Sequence, residues 1–247
     1  MGNILDAINA VKHLTSSTLR HDEDELLLKS KTKPNTRNTG NKLHLGPGPN
    51  WEKPNNGWIN IDVDANRADL VINFNDFKGL PYEDFSISCI YGSHVFEHID
   101  IFNAPKVFKE CHRVLTNGGY FRIVLPDVKK SIEEYLKGNI EFPLFRRRIE
   151  SLEKLMNVKE VCIFEALKGD FISPSGQQNI FGKNSLAHQN AWDYEAICLD
   201  LKRAGFSAEN IRKQSFKVSD CNEFNFEGSF LSEANEYDRS IYVEVKK

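Results

Sequence analysis

Apolar residues gather in short runs at 43–45, 58–63, 70–74, 87–91 and 120–125, separated by polar and turn-forming stretches. Runs this short, bounded by Gly, Pro, Asn and Asp, predict strands. Between the last two runs the period changes: Ala104, Val107, Phe108, Cys111, Val114 and Leu115 recur at helical spacing. That spacing predicts a helix over 103–115, stopped at Asn117-Gly118-Gly119, with a strand over 120–125 ended by Pro126. A second amphipathic helix is expected over 194–204 with Gly205 as its stop, followed by strands at 210–216 and 240–245. Strands alternating with helices imply a parallel sheet covered on both faces, here one domain over 42–247. The stretch 128–187 interrupts it after the fifth strand and reads as an acceptor-binding lid. Ahead of the domain, 1–41 is expected to be an appendage: a short amphipathic helix over 4–14 and a flexible linker over 29–41.

A chain of 247 residues with 40% hydrophobic content is sized for one α/β core with embellishments. Its net charge of -3 lacks the basic excess that phosphate backbones demand, so nucleic acid is not an expected partner. The five cysteines are scattered, with no C-x-x-C pair, and read as core thiols of a reducing compartment. No apolar run reaches a membrane span and the first residues lack a signal-peptide core, so a soluble, cytoplasmic protein is expected. A homodimer is compatible with all of this.

The candidate chemistry starts where the first strand runs into Leu45-Gly46-Pro47-Gly48-Pro49-Asn50, followed at the end of the second strand by Asp62 and Asp64. Glycines let backbone approach a ligand closely, and a carboxylate after the second strand suits a ribose. A dinucleotide fingerprint needs a third glycine, and here the indole of Trp51 stands in that place, crowding a pyrophosphate. A phosphate-free cofactor such as S-adenosylmethionine needs only the sharp turn. A plain turn explains the two glycines equally well.

Taken in order, LHLGPGPN, GWINIDVD, LPYEDFSISCIYGSHVFEHI, RVLTNGGYFRIVLPD and HQNAWDYEAICLDLKRAGF resemble the class I S-adenosylmethionine-dependent methyltransferases, most closely a small bacterial branch associated with polysaccharide and sugar modification. The resemblance implies a Rossmann-like, seven-stranded, mostly parallel sheet with an antiparallel last strand and S-adenosyl-L-methionine at the carboxyl ends of the early strands. By motif position it implies that Gly46, Pro47 and Gly48 pass beneath the cofactor's methionine part, with Asn50 where a further glycine is commoner. It implies Asp62, backed by Asp64, for the ribose hydroxyls, and Asn73, Phe74 and Asp76 around the adenine. Gly92, Ser93 and His94 then fall beside the sulfonium. Its activity would be O-methylation of a sugar, a nucleotide-linked sugar or a related small intermediate of surface polysaccharide (capsule-type) biosynthesis. Another small metabolite as acceptor, or a non-catalytic cofactor-binding scaffold, remains open.

Methyl transfer to a hydroxyl requires an aligned acceptor and a base near neutral pKa, for which histidine is the usual choice. Among seven histidines the candidates are His94, His98 and His188, the last catalytic or else a hydrogen-bonding group at the start of the following helix, with Asp127 as acceptor ligand or orienting carboxylate, or else a cap on the following helix. His94 and His98, four apart, are expected on one face of a starting helix. His94-Val-Phe-Glu97-His98 superficially resembles a zinc pair, but Glu97 adjoins the second histidine where the zinc motif places it beside the first. A capping or buried hydrogen-bonded role is therefore assigned to Glu97 and His98, and no metal is expected. Arg146, Arg147 and Arg148 either clamp a phosphate of the acceptor or form a solvated helix face.

Overall fold

The computed structural model describes residues 41–48, 57–172, 187–224 and 239–247, all within one compact unit. Residues 1–40 of the appendage expected over 1–41, Asn50 and Trp51, and most of the stretches 169–184 and 224–237 lie outside the described residues.

Five strands come first in the sheet, β1 (Asn41–Leu45), β2 (Trp58–Asp62), β3 (Leu70–Val71), β4 (Ile87–Ser93) and β5 (Leu115–Pro126), and two later ones complete it, β6 (Ile211–Gln214) and β7 (Ser240–Lys246). Their order is β3-β2-β1-β4-β5-β7-β6. The β1–β2, β2–β3, β1–β4 and β4–β5 pairs are parallel; β7 runs antiparallel to both β5 and β6. This is the seven-stranded, mostly parallel, Rossmann-like sheet of the class I methyltransferase fold. The order reverses direction between β1 and β4, and an open α/β sheet binds ligands outside the carboxyl ends of its strands at that crevice.

Strand alternation partitions the chain between two faces. Leu43 and Leu45 of β1 join Ile61, Ile90, Phe121, Ile123 and Val243 in the main core. It is closed by the buried stripes of helices α1 (Ala104–Val114) and α5 (Tyr194–Ala204), namely Val107, Phe108 and Cys111 against Ile197 and Leu201. The opposite face holds Trp58, Tyr91, Phe224 and Tyr242 together with buried Lys42, His44, Arg122 and Glu244. Arg122 is fully buried and spans that face, donating to the carbonyls of Val218 (2.9 Å) and Ser215 (3.0 Å) and pairing with Glu244 at 3.3 Å.

Local signals account for α5. Asp193 Oδ1 accepts from Ala196 N at the start, and Gly205 closes the helix at φ +110, a conformation cheap only for glycine. The exit of α1 differs from expectation. The helix stops at Val114 and β5 begins at Leu115, so Asn117-Gly118-Gly119 lies inside the strand as an irregular step in its pairing with β4. Lys247 Nζ supplies the physical reason, donating to the carbonyls of His112 (2.5 Å), Arg113 (3.3 Å) and Leu115 (2.9 Å). A cation on the terminal carbonyls ends a helix without a glycine. The third strand is also shorter than expected, because Asn73 accepts from Asn75 N and turns Phe74–Asp76 into a 3-10 turn.

The insertion folds as α2 (Val128–Leu136), α3 (Pro143–Met156) and α4 (Ile163–Lys168) around its own cluster of Phe142, Leu144, Phe145, Ala166 and Leu167. Of the three arginines on α3, Arg148 is structural. It donates to the Ala166 carbonyl (2.9 Å) and pairs with buried Asp170 (2.6 Å).

Candidate active site

Parallel pairing brings the carboxyl ends of β1, β2 and β4 side by side, with Leu45 level with Ile61 and Gly92. The chain leaves β1 through Gly46, whose N–H donates to the Ile61 carbonyl (2.8 Å). Gly46 sits at φ +60, and a Cβ there would lie 2.7 Å from Cβ of Val95. The glycine is thus required twice, by a left-handed backbone and by close approach of the turn after β4. Gly48 sits at φ +67 with open space where a side chain would project, and Pro47 between them is buried.

The two acidic residues after β2 separate by use. Asp64 caps its own turn, accepting from Asn66 N and Nδ2 at 3.0 Å and pairing with Arg67 at 3.3 Å. Asp62 gives only Oδ1, to Asp64 N at 2.9 Å, and no other described residue bonds its Oδ2. Asp62 is therefore the carboxylate with acceptor capacity to spare for vicinal hydroxyls. Around the expected adenine position, Asn73 is exposed and caps the 3-10 turn, Phe74 packs into the main core beside Phe77, and Asp76 pairs with Lys78 at 2.6 Å. Asn75 ties this turn to the next, donating to the His98 carbonyl (2.9 Å) and accepting from Asp100 N (2.8 Å).

At the end of β4, Ser93 Oγ is buried with no hydrogen-bond partner among the described residues. His94 follows at φ +49, a strained conformation for a residue with a Cβ, held by its N–H on the Val124 carbonyl (2.9 Å). Its side chain is 4% exposed; Nε2 is 3.0 Å from Ser240 Oγ and Nδ1 is 3.2 Å from Glu97 Oε1. The expected helix is a single 3-10 turn, Phe96–His98, because the chain reverses at His94 before it can wind. His94 and His98 accordingly meet through Glu97 rather than along a helix face.

Glu97 is 1% exposed and forms the centre of the group. Its carbonyl accepts from Gln189 N (2.7 Å) and Asn190 N (3.1 Å), which docks the segment bearing His188. The rings of His98 and His188 meet edge to face at 4.9 Å. His188 Nδ1 is 2.9 Å from the Asp170 carbonyl, and since a carbonyl only accepts, Nδ1 carries the proton and donates. Burial pulls Glu97 upward, but the hydrogen bond and charge of His94, with the charges of His98 and His188, hold its carboxyl below the usual range. Burial lowers His188, favouring its neutral form.

Structure thus gathers Gly46, Pro47, Gly48, Asp62, Gly92, Ser93, His94 and His188 at one edge. Asp127 ends the same edge, but its carboxylate caps α2 through Lys130 N at 3.1 Å. Sequence reasoning missed Ser240 and the Asp170 carbonyl, contacts with no local signature, and underrated Glu97, whose spacing of three from His94 was the available signal. The arrangement fits S-adenosylmethionine: two glycines at positive φ, a ribose-competent carboxylate and an orphaned buried hydroxyl line the crevice.

Residues 59–123 match the family model described as "Methyltransferase domain". No curated protein matches the chain. Solved structures similar to it include a SAM-dependent methyltransferase from Archaeoglobus fulgidus (13% identity, TM-score 0.43, covering 86% of this chain and 88% of that one). Another, from Mesorhizobium loti, is 12% identical with TM-score 0.44 and coverages of 85% and 91%. A third, phosphoethanolamine N-methyltransferase 2 of Haemonchus contortus in complex with S-adenosyl-L-methionine, is 13% identical with TM-score 0.40, covering 91% of this chain and 52% of that one. Residues 59–123 thus carry a methyltransferase domain, and the crevice those strands build has the chemistry that S-adenosylmethionine needs.

Proposed function

We propose that the protein methylates a hydroxyl of a small sugar-type acceptor, free or nucleotide-linked, in surface polysaccharide biosynthesis in the cytoplasm. The observation that supports O-transfer is the histidine–carboxylate group at the end of β4, beside the switch-point crevice. The cofactor supplies an electrophilic methyl on sulfur; what remains for the protein is to align the acceptor oxygen and accept its proton. His94 is the proposed base. Glu97 Oε1 at 3.2 Å orients its Nδ1 and stabilises the imidazolium that forms; Ser240 Oγ at 3.0 Å marks the Nε2 position from which a proton is exchanged. The acceptor class rests on the resemblance of the five motifs to sugar-modifying methyltransferases. Asp62 holds the ribose, and the insertion α2–α4 covers the acceptor.

Calorimetry with S-adenosylmethionine and with its demethylated product tests the cofactor half, and absence of binding would sink it. Transfer of labelled methyl to a panel of sugars and nucleotide sugars tests the acceptor half. His94→Ala should leave cofactor affinity within about threefold and lower turnover by about 10²–10⁴; unchanged turnover in both His94→Ala and His188→Ala would overturn the assignment of the base.

A further inference from the structure

We infer that Glu97, His98 and His188 form a binding site for one divalent transition cation at the acceptor edge of the crevice. Their ligand atoms, one from each residue, already lie within 4.8 Å of one another, and His98 Nε2 is 4.0 Å from Glu97 Oε1. A four-coordinate ion with bonds of about 2.0–2.1 Å spaces its ligands roughly 3.4 Å apart, within reach of side-chain adjustment.

Two independent observations point to a ligand there. First, Glu97 Oε2 is buried with no hydrogen-bond partner among the described residues, an arrangement that is expensive for a carboxylate unless a cation meets it. Second, both imidazoles are oriented from behind by backbone carbonyls: His188 Nδ1 by Asp170 at 2.9 Å and His98 Nδ1 by Ala187 at 3.4 Å. Each Nδ1 must then be the donor, which turns both Nε2 atoms toward the space beside Glu97. An outer carbonyl that fixes the ring's orientation is how metal-bound histidines are held. The Arg148–Asp170 pair (2.6 Å) makes that carbonyl rigid and links the insertion to the site. Two imidazoles and one carboxylate suit Zn²⁺, Mn²⁺ or Fe²⁺ over Ca²⁺ or Mg²⁺. His98, 25% exposed at its side chain, gives the ion an entry path.

The inference concerns ion binding alone and stands or falls separately from the acceptor. The test uses untagged full-length protein, stripped with chelator and titrated with Co²⁺, read by its visible absorption and by calorimetry. One equivalent should bind, and His98→Asn, His188→Asn and Glu97→Gln should each weaken it by about 10- to 100-fold or more. His112→Gln, whose ring packs on Phe206, should bind as the wild type does. Circular dichroism of the metal-free variants reports folding, and the part-exposed His98→Asn keeps the test valid if Glu97→Gln unfolds. Less than stoichiometric binding at millimolar Co²⁺, or equal affinity in wild type, His98→Asn and His188→Asn, overturns the site.

Discussion

Replacing Gly46 by Ala perturbs the crevice at its narrowest point. At φ +60 a Cβ introduces about 1–2 kcal/mol of left-handed strain. The added carbon also falls within contact of Val95 Cγ2 and 2.7 Å from its Cβ. Val95 follows His94 directly and packs against the main core, so it cannot swing free, and overpacking adds about 1–3 kcal/mol. Together Gly46→Ala should destabilise the fold by about 2–5 kcal/mol, a large fraction of the roughly 5–15 kcal/mol that a domain possesses. Val95→Gly removes both the Cγ2 and the Cβ that the new carbon meets, and with them the second contribution but not the first. In a Val95→Gly background the same substitution should therefore cost about 1–2 kcal/mol, and a double-mutant cycle from urea unfolding isolates the difference. The reasoning is refuted if Gly46→Ala changes stability by less than about 0.5 kcal/mol, or by equal amounts in both backgrounds.

The remaining predictions concern charge. Asp62→Ala should weaken S-adenosylmethionine binding by about 10- to 100-fold, the loss of one charged hydrogen-bonding group of about 1.5–3 kcal/mol. Asp64→Ala, whose oxygens serve Asn66 and Arg67, should change affinity by less than about threefold; calorimetry showing the reverse order would reject the assignment. His44 is 1% exposed and burial lowers its pKa to about 3. Between that value and the unfolded value near 6.5, the unfolded chain binds a proton that the folded chain refuses, so stability rises with pH there. The contribution is complete above about 6.5 and is lost as pH falls below it, by up to about 1.4 kcal/mol per unit. Unfolding midpoints measured from pH 7 to 5 should decline less steeply in His44→Gln, and parallel declines would count against the effect.

Much of this architecture is legible in local sequence because its causes are local. Leu43 and Leu45 announce a strand by alternation and the short apolar run 87–91 announces another; Asp193 and Gly205 bracket α5 because a cap oxygen and a positive φ act within a few residues. The glycines after β1 and Asp62 after β2 were readable for the same reason. Local reading stopped short where a distant group intervened. Lys247, at the far end of the chain, ends α1 at Val114, and no pattern near Asn117-Gly118-Gly119 announces it. The reversal at His94 likewise replaces an expected helix by one 3-10 turn, because its N–H is taken by Val124 of the neighbouring strand.

The division is sharpest at Glu97. By itself the sequence determined a Rossmann-type sheet, a two-glycine turn after the first strand and a pool of candidate histidines, all consequences of periodicity, turn chemistry and side-chain type. Only tertiary structure decided that His188 arrives beside His98, that the Asp170 and Ala187 carbonyls hold the two Nδ1 atoms, and that Asp64 is spent on its own turn while Asp62 is not. Those outcomes depend on which backbone carbonyls and N–H groups face each other where the His188 segment meets Glu97 and Asp170. That choice is made by the summed burial of the core, and no single stretch of residues encodes it.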